Sequence, residues 1–555
     1  MRTAGPGSLD PVLGSTVYDN RATQLFYETL LQYKYLARPS ALEPLLVTEM
    51  PAESERDGKK VYTFKLKQGV MFQDDACFPD GKGREMVASD VEYSWKRLAD
   101  PKYERKNWWL VKDTIVGFDA FMEVAEEAGT CDYSRPVEGL KVVDDYTFEV
   151  TLVEPNYSFL WKVAMFQFSI VPREAVEHYE AKFSTNPVGT GPFILAPNGW
   201  QKEKSLTALK SPSFRDEFYP SEWMPEDEEL GLHLAKGAKL PLADRVEITM
   251  FVNENPMWLE FNSGGLDYTQ VPAENYDAAF NDRSRKLKKA YRDKGVVDHQ
   301  VPLLDFIFRQ FNMEDELVGG YTPEKQKLRR AIALATDLEE FNKSFYNDTN
   351  VIYDGMIPPG LDGHPEGGRA EVSNRGPNLE LARQLLAEAG YPEGQGLPAI
   401  DYYINSSGNT PEQAELWKRQ LAKIGVELNV RALTFAKLIQ EVNSKKAPIF
   451  GFAWSSDYPD GENNLALFYG PNESPGSNHA NYKRAEYDEM YERVRTMAPS
   501  AERTALYESM RNMVTEDVAF IGSMARTRFY LVNPHLKNFK PSEDFYNWVK
   551  YLDVE

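Results

Sequence analysis

The sequence predicts an α/β protein built from more than one structural unit. Three observations carry that expectation. The chain has 555 residues, well beyond the roughly 250–300 at which a single core stops growing. Its C-terminal half alternates segments of helical period with short apolar runs rich in β-formers, the rhythm of α/β layers. Its N-terminal half carries strand-rich text bounded by turn residues. Hydrophobic residues make up 42% of the chain and aromatics 13%, ample for a packed interior, which sets the disordered class aside.

Taken in order, residues 9–11 (LDP) form a turn. Residues 22–35 (ATQLFYETLLQYKY) predict an amphipathic helix, because Leu25, Phe26, Leu30 and Leu31 recur at helical spacing, with Glu28 beside that face. Residues 61–74 (VYTFKLKQGVMFQD) alternate as strands around a turn at Gly69. A helix opens at residues 88–91 with Ser89 or Asp90 as its cap. Residues 140–143 and 146–152 read as strands joined by the tight Asp144-Asp145 turn. VGTGPF at residues 188–193 reads as a crossing between domains; it lacks the lysine, the spacing and the following helix of a phosphate-binding loop. Residues 211–239 carry an acidic patch, WMPEDEELG, that reads as a surface insertion. Residues 245–252 and 303–312 are strands. Residues 322–346 predict one long helix with Thr322 as cap and Pro323 at its first position. Helices follow at 379–389, 411–424 and 435–443, strands at 426–433 and 449–454. Two more helices, near 487–497 and 502–516, precede strand-like text at the end of the chain.

Charge and composition exclude several functions. With 63 Lys+Arg against 85 Asp+Glu the formal charge is −22, a field that repels polyanions. The one basic run, residues 283–294, carries its own Asp and reads as a solvated face, so no nucleic-acid partner is expected. The six histidines are scattered and Cys77 and Cys131 form no C-x-x-C pair, so no metal or cofactor is expected. No G-x-S-x-G, H-E-x-x-H, P-loop or dinucleotide fingerprint occurs, and no spacing selects a catalytic carboxylate pair. The first residues hold no apolar segment, and no run of about 18 apolar residues appears anywhere, so the chain as given reads as soluble.

The stretch that concentrates candidate chemistry is residues 447–470, APIFGFAWSSDYPDGENNLALFYG. It opens as an apolar strand through Ile449, Phe450, Phe452, Ala453 and Trp454. It then breaks into a loop in which Asp457, Asp460 and Glu462 crowd together. An indole, two hydroxyls and a carboxylate at the exposed end of a buried strand suit a binding site. The same text also suits an acidic solvated turn. Asp457-x-x-Asp460-Gly461-x-Asn463 lacks the alternating ligands and terminal glutamate of a calcium loop.

A series of segments in one order resembles the extracytoplasmic solute-binding proteins of peptide ABC transporters, the oligopeptide- and dipeptide-binding family. It comprises YETLL (27–31), residues 61–74, DGKGREMVASDVEYSWKRL (80–98), VGTGPF (188–193), GGLDYTQVP (264–272), KLRRAIALATDLEEF (327–341) and IPPG (357–360). LARQLLAEAGYPEG (381–394), WKRQLAKIGVELNV (417–430), the 447–470 stretch and NYKRAEYDEMY (481–491) complete it. The resemblance implies a two-lobed periplasmic-binding-protein fold with an extra domain, its mixed sheets flanked by helices and its lobes hinged. Lobe I would comprise residues 1–50, 186–296 and 520–555, the additional domain 51–185, and lobe II 297–519.

It also implies a non-enzymatic receptor, expected as a monomer, that captures peptides outside the cytoplasm and delivers them to an ABC permease. Such a protein would be periplasmic or membrane-associated outside the cell, its targeting peptide removed. Asp457, three residues after Trp454, would hold the ligand's α-ammonium, with Ala453, Trp454, Ser455 and Ser456 beside the ligand backbone. From the other lobe, Glu28 and Tyr268, Thr269 and Gln270 would contact the ligand. Cys77 and Cys131 both fall in the additional domain, and the resemblance implies that an exported protein would pair them. Some relatives carry a basic residue before the Trp, where this chain has Gly451. Alternative readings are a non-peptide solute such as an oligosaccharide on the same scaffold, and a hydrolase acting through a carboxylate pair.

Overall fold

The computed structural model describes residues 5–14, 16–103, 107–281, 285–542 and 548–555. The chain divides into two compact units: Met1–His299 with Tyr530–Glu555, and Gln300–Phe529. The first passage between them lies three residues later than expected. The return lies ten residues later, after residue 529 rather than 519. The reason is the strand Phe520–Ala525, which pairs with Asp305–Phe311 on one side and Val351–Tyr353 on the other. It belongs to the sheet of the second unit.

Among its described residues the first unit holds two sheets of three or more strands. Ala52–Arg56, Lys59–Lys65, Thr147–Thr151 and Leu140–Asp144 form an antiparallel four-stranded sheet in that order. It lies within residues 51–185, which the unit boundaries leave inside the first unit. Its Phe64 and Phe148 stand edge-on to the fully buried Trp95 of the helix Ala88–Lys96. Val87, not Ser89 or Asp90, is that helix's N-cap; Asp90 sits one turn in and accepts the Val87 N–H. Phe193–Gln201, Ser205–Lys210 and Arg245–Thr249 form a second sheet. Tyr268–Gln270 pairs antiparallel with Tyr530–Val532 and is an edge strand of its sheet.

Residues 22–35 do not form the expected helix. The helix Val17–Thr23 ends as that segment begins, and Leu31–Tyr33 is a strand. The apolar residues Leu25, Phe26, Leu30 and Leu31 are all buried, but the backbone serves distant partners: Phe26 O accepts from Gly191, Leu25 O from Phe193 and Glu28 O from Ile170. Tertiary pairing has replaced the local ladder. The same contacts explain VGTGPF. A Cβ at Gly191 would fall 2.4 Å from the Phe26 carbonyl carbon, and one at Gly189 would fall 2.2 Å from Phe26 O. The glycines admit a close backbone approach inside the first unit.

The acidic insertion is partly anchored. Asp227, in the short helix Pro225–Glu229, is fully buried and paired with Lys540 at 2.5 Å. Of the basic run, Arg283 and Ser284 lie outside the described residues; Lys289 pairs with Asp293 at 2.5 Å. Cys77 and Cys131 are free thiols, which corrects the expected pairing. Cys77 sits in the loop held by Asp75, and Cys131 follows the helix Phe118–Ala128, its sulfur against Lys96 O. Burial pushes both thiols up to about 12, so they stay protonated.

The second unit is a six-stranded mixed sheet in the order Val351–Tyr353, Phe520–Ala525, Asp305–Phe311, Ile449–Ser455, Ile400–Asn405, Leu428–Leu433. The first three pairings are antiparallel and the last two parallel. Its core gathers Phe306, Ile332, Trp417, Ile449 and Met510. The expected helix over residues 322–346 is two helices, Pro323–Ala335 and Leu338–Tyr346. Thr336 accepts a hydrogen bond from the Trp417 indole at 2.8 Å, and Asp337 caps the second helix through the Glu340 N–H. The D-x-x-E spacing of a new helix start was present in ATDLEE.

Candidate functional site

The strand Ile449–Ser455 is placed by its own composition. Ile449 and Phe450 are both buried, as a strand covered on both faces requires. On one side it pairs along its whole length with Asp305–Phe311, from Phe311 opposite Ile449 to Asp305 opposite Ser455. On the other it pairs with Ile400–Asn405 only at Ile449 and Phe450. From Gly451 onward, therefore, no strand among the described residues pairs with that edge. This lies at the carboxyl ends of parallel strands, where the pairing direction switches, the usual place for ligands in open α/β sheets. Ala453 and Ser455 are exposed and Trp454 half-buried.

The loop after the strand is locked by amides. Asn463 Oδ1 accepts from the Trp454 indole at 3.1 Å and from Asp457 N at 3.0 Å, while its Nδ2 donates to Asp457 Oδ2 at 3.0 Å. One side chain thus fixes both the ring and the carboxylate. Ser456 is buried; its hydroxyl donates to Asn464 Oδ1 at 2.8 Å and its N–H to Leu304 O. Asp457 itself is half-buried. Its acidic neighbours serve the interior. Asp460 caps the short helix Gly461–Leu465 and pairs with Arg503 at 2.8 Å and Tyr507 at 2.6 Å. Glu462 accepts from Tyr458 at 2.6 Å and from Tyr491. Both were expected in the loop; neither faces outward. In the sequence Asn463 entered only as the end of a pattern that lacks calcium-loop spacing, and two asparagines after Asp-Gly gave no more than a turn signal.

Gly451 stands opposite Arg309 in the ladder. A Cβ at 451 would lie 2.7 Å from the Tyr402 hydroxyl oxygen. The Arg309 guanidinium is buried, stacked 4.2 Å from the Phe341 ring and 4.9 Å from Trp417. The pairing strand already carries a cation opposite this position, and Tyr402 fills the space a basic side chain would need.

In the first unit, Glu28 is buried in a bidentate pair with Arg215 (2.6 and 2.9 Å), and Thr190 of VGTGPF donates to it at 3.0 Å. It borders a cavity of about 20 Å³, also lined by Gln32, Ser169 and Lys550, room for one water. Thr269 is buried, and the Tyr268 ring packs among Phe539 and Trp548 at 4.9 and 5.6 Å. Tyr268–Gln270 is an edge strand that pairs with Tyr530–Val532. The structure therefore groups Ala453, Trp454, Ser455, Ser456 and Asp457 in the second unit and leaves Glu28 and residues 268–270 at separate places in the first. Among the described residues no group of three or more His, Cys, Asp or Glu is placed to hold a metal ion, and no helix is long and apolar enough to cross a membrane.

The family model of the bacterial extracellular solute-binding proteins, family 5 Middle, matches residues 41–476. The chain belongs to that family. Among curated relatives, heme-binding protein A of Haemophilus influenzae is 24% identical, covering 96% of this chain and 87% of the relative. The dipeptide-binding protein DppE of Bacillus subtilis is 23% identical over 99% of this chain and 90% of its own. The fold matches that of the periplasmic binding protein DppA from Helicobacter pylori, solved with the peptide STSA, at a TM-score of 0.72 and 21% identity, covering 100% and 97% of the two chains. This family-5 chain thus shares the periplasmic-binding-protein fold along its whole length.

Proposed function

We propose that this solute-binding protein captures peptides outside the cytoplasm and delivers them to an ABC permease, without chemical turnover and as a monomer. The observation that carries the reading is the unpaired edge of Gly451–Ser455, ending at the Trp454 indole and the Asp457 carboxylate that Asn463 orients. An extended peptide adds to such an edge through its main chain, which gives affinity without reading side chains. Its α-ammonium, enclosed on binding, needs a carboxylate partner, and Asp457 supplies one. Binding then favours a closed over an open arrangement of the two units by its differential affinity. A relative named for dipeptides and a structural neighbour solved with a peptide support this ligand class. The relative named for heme favours a second reading, a non-peptide ligand on the same scaffold.

Titration calorimetry with paired peptides, free and N-acetylated, tests the proposal. Blocking the ammonium should weaken binding by about 30-fold or more, the effect of about 2 kcal/mol. Equal affinity of the two forms overturns the role of Asp457. Mass spectrometry of co-purifying ligand separates peptide from non-peptide occupants.

A further inference from the structure

Beside the open edge lies a set of rings that the backbone-binding reading does not use. The helix Phe435–Asn443 buries Leu438 and Val442 against Phe450, yet Phe435, at its first turn, is 58% exposed. Among the described residues it is the only Phe or Trp of the second unit that stands outside. A single exposed ring is ordinary on a protein surface, so its neighbours decide what it can do. The ring is not isolated. Its centroid lies 6.4 Å from Phe452, which in turn meets Phe450 at 5.1 Å and His479 at 5.5 Å, all tilted or edge-on. Phe452 belongs to the strand with the open edge, and Phe435 follows the end of the parallel strand Leu428–Leu433. The wall is uncharged: burial pushes His479 down to about 4, so it is neutral at physiological pH.

We infer that Phe435 and Phe452 form a seat for an aromatic or large apolar side chain of the bound peptide, making Phe435 a specificity-determining residue. The occupant follows from continuity with the open edge: a strand added there projects alternate side chains onto the face that Phe450 and Phe452 share. The register also follows. Phe452 lies three residues before Ser455, about 10 Å along a strand rising ~3.3 Å per residue. A peptide whose ammonium sits near Asp457 then brings its third or fourth side chain to Phe452. The seat therefore selects peptides of at least three residues with a ring at that position. The inference rests on the peptide reading and adds to it a preference of length and side chain.

The test uses tetra-alanine and the four tetrapeptides carrying one Phe among alanines, titrated against the wild-type protein, Phe435→Ala and Phe435→Trp. Burying a ring at the seat should make the peptide with Phe at position 3 or 4 bind about tenfold tighter than tetra-alanine. Phe435→Ala should reduce that ratio to within about threefold, and Phe435→Trp should restore it. Unchanged melting temperatures show that Leu438 and Val442 still hold the helix; if Phe435→Ala unfolds, the wild-type Phe scan and Phe435→Trp decide alone. If tetra-alanine binds but Phe gains nothing at positions 3 and 4, or the gain survives Phe435→Ala, the seat is overturned and the peptide reading stands. If none of the five peptides binds, both fall.

Discussion

Around Glu28 in the first unit, charge meets charge: a buried guanidinium grips both carboxylate oxygens and a buried threonine adds a third bond. Around Asp457 in the second, a neutral amide orients the carboxylate and the Trp454 ring together. The two residues are the same kind of acid, and the resemblance places both at the ligand. An arginine brings charge with its hydrogen bonds, whereas an amide contributes hydrogen bonds without charge. The first arrangement ties YETLL to VGTGPF and to Arg215. The second sets a carboxylate at the end of an open strand.

Mutations can break this contrast. Asp457→Ala should weaken peptide binding by about 2–5 kcal/mol, the cost of leaving an enclosed ammonium without its partner. Calorimetry at matched melting temperature reads it, and parent-like affinity would show that the amide-held acid has no ligand role. Glu28→Ala should instead cost stability, on the order of 3 kcal/mol. That is the low end for a broken buried pair, because Arg215 keeps Glu217 at 2.7 Å. Urea unfolding measures the loss; a stable variant with lost peptide affinity would reverse the assignment. Asn463→Ala should lower affinity by about 1–2 kcal/mol by freeing both Trp454 and Asp457, and no change would mean that the loop is held without it.

A further effect concerns pH. His479 is neutral in the fold down to about 4, whereas the unfolded chain protonates near its ordinary value of 6.5. Between these values the unfolded state binds more protons, so stability should fall as pH drops from about 6.5 to 4 and level off below. Replacing His479 by Phe should flatten that window in chemical unfolding curves. An identical slope in the variant would assign the fall to other groups.

Local patterning made much of the second unit legible. The strand Leu428–Leu433, the helix Phe435–Asn443 and the strand Ile449–Ser455 follow from composition and period; Leu428 and Ile449 join the main core, and the helix buries Leu438 and Val442 against Phe450. Residues 22–35 misled for the converse reason: their apolar spacing is helical, but their carbonyls serve residues about 140–170 positions away. The break at Thr336 is fixed by an indole 81 residues on, and the place of Phe520–Ala525 by two strands more than 160 residues earlier.

For the 447–470 stretch, sequence alone determined a buried strand running into an acidic loop, because burial pattern and turn residues are local properties. It offered the Trp454 indole and three carboxylates from composition, and narrowed the carboxylates to Asp457 only through resemblance. Tertiary structure decided which acid does what. Asp460 and Glu462 turn inward because Arg503, Tyr507 and Tyr491 come from helices far along the chain. Glu28 is occupied because Arg215 arrives from 187 residues away. The open edge exists because Ile400–Asn405 stops pairing at Phe450. Each depends on what the folded chain brings alongside, and a carboxylate's partner is set by distance in space, not along the sequence.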